Sequence, residues 1–274
     1  MSSRSVQISR PGSRWLVTIA AFALASLLGL PIVVLVLRAI GEGSLAESIV
    51  NPAVRDALGL SLITSTASLA ITVLLGTPLA WILARHRPVG ARFLEAIVDL
   101  PIVLPPSVAG LALLLLLGRR APLGEPLAAL GIAFPYSTLG VVLAQTFVAA
   151  PFYIRAARTG FGDVDRRLEE AGRITGASAW QVARAITLPL AAPSLVAGIV
   201  MTWSRAVGEF GATILFAGSI AGLTRTLPLL VYGEFQAGDL SASIAAGSIL
   251  VIAAFGVLLA VRSLRRERWL EGVR

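Results

Sequence analysis

The chain has 274 residues, of which 56% are hydrophobic and only 14% are charged, and its mean hydropathy is +0.84. Because a soluble domain carries about 25% charged residues, this composition excludes an ordinary soluble domain and indicates a chain that crosses a membrane several times. The net charge is +8, and all 23 basic residues are arginine. The chain has no cysteine and one histidine, so disulfide scaffolds and thiolate metal sites are excluded.

Six segments of the chain are long and apolar enough to cross a bilayer, which takes about 20 residues. They are residues 15–37, 58–84, 100–118, 138–154, 194–217 and 240–261. We therefore predict an all-α polytopic membrane protein with six transmembrane helices in one domain, residues 15–261. Residues 1–14 and 262–274 are predicted to be short tails on the same side of the membrane.

The arginines are distributed unequally between the two sides that six spans create. If both termini are cytoplasmic, the cytoplasmic segments carry Arg4, Arg10, Arg14, Arg85, Arg87, Arg92, Arg155, Arg158, Arg166, Arg167, Arg173, Arg184, Arg262, Arg265, Arg266, Arg268 and Arg274. The outer loops then carry Arg38, Arg55, Arg119, Arg120 and Arg225. Arginine is enriched on the cytoplasmic side of membrane proteins, so both termini are predicted to be cytoplasmic. The same enrichment accounts for the positive net charge of the chain. The partner that this charge implies is therefore a lipid membrane, and no nucleic acid partner is expected.

The first apolar segment has two interpretations. Its basic start and the Ala23-Leu24-Ala25 triplet resemble a cleaved signal peptide, but the apolar run continues to Leu37 without a polar region around the triplet. We therefore favour an uncleaved membrane anchor.

The third segment contains three prolines near its start, at positions 101, 105 and 106, and follows an acidic residue, Asp99. Proline removes a backbone donor and disfavours a helical residue before it, so this helix is predicted to be kinked or to start late. A break inside a membrane is tolerated only where protein or a water-filled cavity covers it, so Asp99, Pro105 and Pro106 are candidates for a translocation path.

Residues 155–193 form the one long cytoplasmic loop that the six spans predict. Asp165 is placed to cap a short helix over residues 166–174, and Gly176 supplies its stop. Ser178 and Gln181 fit a capping box that begins a second short helix, which should end before Pro189. The two short helices would expose apolar side chains, namely Leu168, Trp180 and Val182. Docking to another protein and packing back onto the membrane domain explain such a loop equally well.

The fifth segment contains two charged residues, Arg205 and Glu209. Charges inside a membrane are costly and point to function, but residues four apart on one helix also form an ion pair. We favour the structural ion pair over direct contact between Arg205 and a transported anion. Arg205 would pair with Asp99 instead if the third and fifth spans touch.

The loop carries a sequence motif that resembles the EAA loop of ABC importer permeases. That motif reads E-A-A, three residues, G, nine residues, I-x-L-P, and its counterpart in this chain is Glu170-Ala171-Gly172, Gly176 and Ile186-Thr187-Leu188-Pro189. The spacing is matched throughout, and the one departure is Gly172 in place of the second alanine. The resemblance implies that the loop couples the membrane domain to an ATPase through Leu168, Glu169, Glu170, Ala171, Gly172, Gly176, Ala177, Ser178 and Trp180.

Three further segments resemble the molybdate and sulfate branch of that family. They are residues 99–110 in the third span, residues 205–213 in the fifth span and the outer-loop segment of residues 224–229, which is similar to molybdate permeases in particular. The resemblance implies an ATP-driven importer of a tetrahedral oxyanion, most simply molybdate or tungstate, with sulfate or thiosulfate as the alternative. It also implies a second copy of the chain, cytoplasmic ABC ATPase subunits and an extracytoplasmic substrate-binding protein as partners, in the cell membrane of a prokaryote.

Other functional classes fit the sequence less well. An ion-coupled secondary transporter is expected to show internal repeats and several buried acids, and the membrane segments hold one charged pair. An intramembrane enzyme lacks a two-histidine metal motif and a nucleophile beside a base. The chain also lacks the G-x-x-x-x-G-K-[ST] phosphate loop, so we expect no catalytic residue, no metal site and no cofactor, with ATP hydrolysis left to a partner.

Overall fold

The computed structural model describes residues 11–86 and 88–271, with side-chain positions for residues 15–86, 88–257 and 259. All regular structure in this part of the chain is helical. The helices are α1 (Pro11–Gly41), α2 (Ser44–Val50), α3 (Pro52–Arg85), α4 (Ala91–Val103), α5 (Pro106–Leu117), α6 (Gly124–Ala129), α7 (Thr138–Asp163), α8 (Arg166–Ile174), α9 (Ala179–Val182), α10 (Leu188–Val207), α11 (Gly211–Phe216), α12 (Leu227–Gln236) and α13 (Leu240–Glu271).

Within the described residues, five helical segments are long and apolar enough to cross a membrane, namely Trp15–Gly41 of α1, all of α3 and α7, the continuous stretch Ala179–Val207, and Leu240–Val257 of α13. A sixth span results if the bent pair α4 and α5 is counted as one. The prediction of an all-α membrane protein is therefore confirmed. Helix α1 begins at Pro11 and α13 continues to Glu271, so both helices extend into the segments predicted as tails. Residues 1–10 and 272–274 of those tails lie outside the described part.

Helix α7 is the centre of the bundle. It packs along α3 on one side and α10 on the other, and Tyr153, Phe161 and Ala157 are buried between them. Helix α1 packs against α2 and α13, and most of its apolar side chains are exposed. That exposure suits a helix whose outer face lies in lipid.

The predicted third span is not one helix. Helix α4 ends at Val103, Leu104 is extended with a ψ of 134°, and α5 starts at Pro106 at an angle of 117° to α4. The expected kink is therefore a complete break. Its cause is the Pro105-Pro106 pair, since neither residue donates a backbone hydrogen bond and Leu104 is held extended before a proline.

The loop predicted after the fourth span is largely helical. Helix α7 does not end at residue 154 but continues to Asp163. The second loop helix does not end before Pro189: α9 continues through a π-helical turn, Ala183–Thr187, into α10. Pro189 lies in the first turn of α10, where its missing N–H costs little because the widened turn precedes it.

The predicted fifth span is also broken. Helix α10 ends at Val207, and the short helix α11 begins at Gly211 after an irregular segment. The short helices α2, α6 and α12 were not predicted, because seven, six and ten residues are too few to show a clear periodicity.

Candidate coupling and translocation sites

Helix α8 and the start of α9 form the predicted two-helix segment, and their caps are those expected. The Asp165 carboxylate accepts a hydrogen bond from the Arg167 N–H at 2.9 Å. The Ser178 hydroxyl accepts from the Gln181 N–H at 3.3 Å, and the Gln181 side chain accepts from the Ser178 N–H at 2.7 Å, which completes the capping box. Gly176 has a φ of +89°, the left-handed conformation that ends a helix and favours glycine.

Glu169 fixes α8 to the membrane bundle from the inside. Its Oε1 accepts a hydrogen bond from Arg85 Nη2 at 2.7 Å and another from the Thr187 hydroxyl at 2.7 Å. The side chains of Arg85 and Glu169 are only 8% and 10% exposed. One carboxylate oxygen therefore joins α8 to the end of α3 and to the π-helical turn that leads into α10.

Arg85 joins several elements of this site although its sequence context does not mark it as a site residue. Besides Glu169, both of its Nη groups donate to the Val164 carbonyl at 3.2 Å, in the short link between α7 and α8. Its guanidinium lies 5.7 Å from the centre of the Trp81 ring, which packs edge-on against Phe161. In the sequence, Arg85 is recognisable only as one of the cytoplasmic arginines, and the available signal for its role is its spacing of four residues from Trp81 on one helix.

The opposite face of the two-helix segment is open. Leu168, Ile174 and Trp180 are 48%, 86% and 67% exposed. The Glu170 carboxylate is also exposed and contacts no described residue through a hydrogen bond or an ion pair, so it does not cap its own loop. Val182, which was expected on this surface, is instead 3% exposed.

The small residues of the motif have different placements. Gly172 faces the π-helical turn, where an added Cβ would lie 3.0 Å from Ile186 Cδ1 and 3.2 Å from Val182 Cγ2. A small residue is therefore needed there for α8 to pack closely. Ala171 is exposed and Ala177 is half-buried, and their methyl side chains project little from the outer surface of the segment.

The two broken spans meet each other at their breaks. A Cβ on Gly211 would lie 2.7 Å from Pro106 Cβ, and a Cβ on Gly110 would lie 2.7 Å from the Ala212 carbonyl oxygen. Helices α5 and α11 are thus in backbone contact, which only glycine permits at these two positions. Broken helices that pack together in a membrane are typical of the gates and paths of transporters.

Arg205 and Glu209 form the expected ion pair across the second break. Arg205 Nη1 lies 2.6 Å from Glu209 Oε2, in a close ion pair that lacks the alignment of a hydrogen bond. The other oxygen, Oε1, accepts from the Ala212 N–H at 2.7 Å in the first turn of α11. The Glu209 side chain is 1% exposed and the Arg205 side chain is 29% exposed. Glu209 therefore both pairs with α10 and caps α11.

Asp99 pairs with α7 and not with Arg205. Its Oδ1 lies 3.7 Å from Arg155 Nε, and the neighbouring Glu95 lies 2.8 Å from Arg158 Nη1. Both pairs join α4 to α7 near the end of the bundle that carries α8. No group of three or more histidine, cysteine or acidic side chains suited to a metal ion occurs in the described part of the chain.

Comparisons with known proteins place these features in a family. Residues 76–269 match the model of the binding-protein-dependent transport system inner membrane component. The molybdenum transport system permease protein ModB of Mycobacterium tuberculosis is 44% identical over 217 residues, covering 78% of this chain and 80% of the relative. A probable sulfate transport system permease protein, cysT of Anthoceros angustus, is 39% identical over 203 residues, covering 73% and 70%.

The fold is also similar to solved structures. A bacterial ABC transporter involved in the import of the acidic polysaccharide alginate superimposes with a TM-score of 0.76 at 17% identity, covering 93% of this chain and 96% of the other. At that identity the likeness supports the fold and says nothing of the substrate.

Proposed function

Because the chain belongs to the family of binding-protein-dependent transport system inner membrane components, a family of multi-pass ABC importer permeases, we propose that it forms the molybdate path of such an importer. In this proposal two copies of the chain form the path. Each copy binds one cytoplasmic ATPase subunit, and both receive the anion from an extracytoplasmic binding protein.

The observation that carries this proposal is that one face of α8 is bound to the membrane bundle and the opposite face is exposed. Its inner face is held to α3 and to the start of α10 through Glu169, Arg85 and Thr187. Its outer face offers apolar side chains and the free carboxylate of Glu170 for docking. A force applied to α8 by an ATPase would reach the two spans directly. This is the property that coupling of ATP hydrolysis to span movement requires.

The proposed mechanism is alternating access. When ATP brings the two ATPase subunits together, the α8 segments of both permease copies move with them and the spans open to the outside. The binding protein then releases its anion into the path, and hydrolysis resets the spans. The permease contributes rigid coupling and a weakly binding path, and the hydrolytic chemistry belongs to the ATPase.

Molybdate is proposed as the anion because of the 44% identity to a molybdenum permease. Tungstate has the same tetrahedral shape and charge. Sulfate is the second candidate, because a relative named as a sulfate permease is 39% identical.

The test is reconstitution of the permease with the ATPase and binding-protein components from the same source organism. We expect ATP-driven uptake of radiolabelled molybdate into proteoliposomes that requires the binding protein and is inhibited by excess tungstate. An excess of sulfate should have little effect. Uptake of sulfate but not molybdate would identify the second candidate, and uptake driven by a proton or sodium gradient without ATP would contradict the proposed class.

We also propose that the α8 end of the bundle is cytoplasmic, as the arginine distribution indicates. The chain has no cysteine, so a single introduced cysteine is a specific label site. An impermeant thiol reagent should label Arg225→Cys in intact cells or spheroplasts and should label Ser178→Cys only after the membrane is opened. Labelling of Ser178→Cys from outside would reverse the orientation.

A further inference from the structure

A cavity of about 370 Å³ opens between α4, α7 and α10, near the end of the bundle that carries α8. Apolar side chains form most of its wall, namely Ile102, Phe152 and Met201. Its polar groups are Arg155, Thr159 and Ser194. The cavity therefore combines one cation and two hydroxyl groups with apolar walls, which is the composition of a small-anion site.

The donors in this cavity are not used by the protein itself. Arg155 has one weak contact among the described residues, from its Nε to Asp99 at 3.7 Å, and its side chain is 56% exposed. The Thr159 and Ser194 hydroxyls form no hydrogen bond with a described residue. Arg158, one turn away on the same helix, is bound by Glu95 at 2.8 Å and has its side chain 32% exposed. Of the two arginines of α7, Arg158 therefore has a close ion-pair partner and Arg155 has only a distant one.

The backbone brings the three donors to one place. Arg155 and Thr159 are four residues apart on α7 and therefore share a face. Ser194 of α10 approaches α7 at Gly160, where an added Cβ would lie 2.6 Å from Ser194 Cβ and 3.2 Å from Ser194 Oγ. The close approach at Gly160 keeps the serine hydroxyl beside this face.

We propose that Arg155, Thr159 and Ser194 form a transient binding site for the transported oxyanion. This inference rests on the proposed function and adds where the anion is held. A planar guanidinium with free Nη groups matches two oxygens of a tetrahedral oxyanion, and hydroxyl donors suit the remaining ones. Arg155 lies about 26 Å along α7 from Thr138, so the site is close to the far boundary of the roughly 30 Å hydrocarbon layer.

Asp99 sets the strength of the site. Its carboxylate partly neutralises Arg155 and repels a dianion, so the anion is attracted without being retained. A path needs binding that is strong enough for entry and weak enough for release. The Asp99–Arg155 contact exchanges for an anion–Arg155 contact when the anion passes, and reforms when it leaves.

The first test compares variants of the two arginines in the reconstituted importer. Arg155→Gln should lower molybdate uptake roughly tenfold, in keeping with the loss of a charge-assisted hydrogen bond, whereas Arg155→Lys should restore part of it. The matched control, Arg158→Gln, removes the same charge one turn away and should not show this loss. Equal losses in both glutamine variants, or none in either, would overturn the site.

The second test detects the site without transport. In the purified complex, Thr159→Cys should react roughly tenfold faster with an anionic methanethiosulfonate than with a cationic one, because the local positive potential concentrates anions. Adding Arg155→Gln should remove this preference, while Arg158→Gln should keep it. Millimolar molybdate should slow the labelling, and Asp99→Asn should increase that protection.

The outcomes separate this inference from the proposed function. A charge preference at Thr159→Cys that does not change with Arg155→Gln would overturn the site even if molybdate uptake is normal. A wild-type importer that takes up no molybdate would overturn the proposed function, and the labelling ratio would still decide whether Arg155 forms an anion site.

Discussion

Glu169→Gln is expected to destabilise the folded permease by about 3 kcal/mol or more, whereas Glu170→Gln should leave its stability nearly unchanged. Glu169 is buried against Arg85, and loss of one partner leaves the other charge unpaired in a site with little water. Glu170 is exposed and has no partner within the described chain, so its loss removes no internal contact. Two adjacent glutamates of one motif should therefore respond in different ways.

The measurement is thermal unfolding of the purified permease together with its co-purification with the ATPase. Glu169→Gln should lower the unfolding temperature and the yield of the complex together. Glu170→Gln should lower only the yield of the complex, because its carboxylate lies on the surface proposed to dock the ATPase. Equal stability of the two variants would contradict the internal role assigned to Glu169.

Arg85 provides a further check on the same contact. Glu169→Gln combined with Arg85→Gln should be less destabilised than the sum of the two single variants, since no unpaired charge remains. Recovery should be partial, because the Val164 carbonyl also loses its two donors. Arg85→Lys should not substitute well, since an ammonium group lacks the fork that reaches Glu169 and Val164 at once.

Arg205→Ala should lower the yield of folded permease, and adding Glu209→Gln should restore part of it. The single variant leaves the Glu209 carboxylate, which is 1% exposed, without its countercharge, at a cost of several kcal/mol by the general figures for buried pairs. Glutamine removes that charge and keeps an oxygen that accepts from the Ala212 N–H. Glu209→Ala should be the most damaging variant, because it removes both the pairing and the cap of α11.

This set of variants also tests the competing role of Arg205. If Arg205 contacts the passing anion, Arg205→Ala should lower uptake while the yield and stability of the complex stay normal, and Glu209→Gln should not rescue uptake. Yield on a gel-filtration column and uptake per assembled complex are the two quantities to compare. Strictly additive losses in the double variant would argue against the structural pair.

Several features of this protein were determined by local sequence alone. The caps at Asp165 and Ser178 and the stop at Gly176 depend on residues within four positions of one another, and each was predicted correctly. The apolar segments also followed from composition, because a bilayer requires a fixed length of apolar helix. The break at Pro105 and Pro106 was expected for the same local reason, although its full angle of 117° was not.

The tertiary structure decided how these local elements are joined and which face each side chain uses. Sequence places Glu169 and Glu170 side by side, but only the contacts of α8 with Arg85 and with the π-helical turn bury one while the other stays exposed. Helix α9 is continuous with α10, whereas the chain breaks after Val207. Both outcomes depend on whether neighbouring helices cover the backbone, and the spacing of apolar residues in the sequence does not show this. Arg85 and Arg155 look alike as cytoplasmic arginines in the sequence. They differ in their contacts, because residues 79 and 84 positions away bind the first with hydrogen bonds, whereas the second has only a 3.7 Å contact with Asp99.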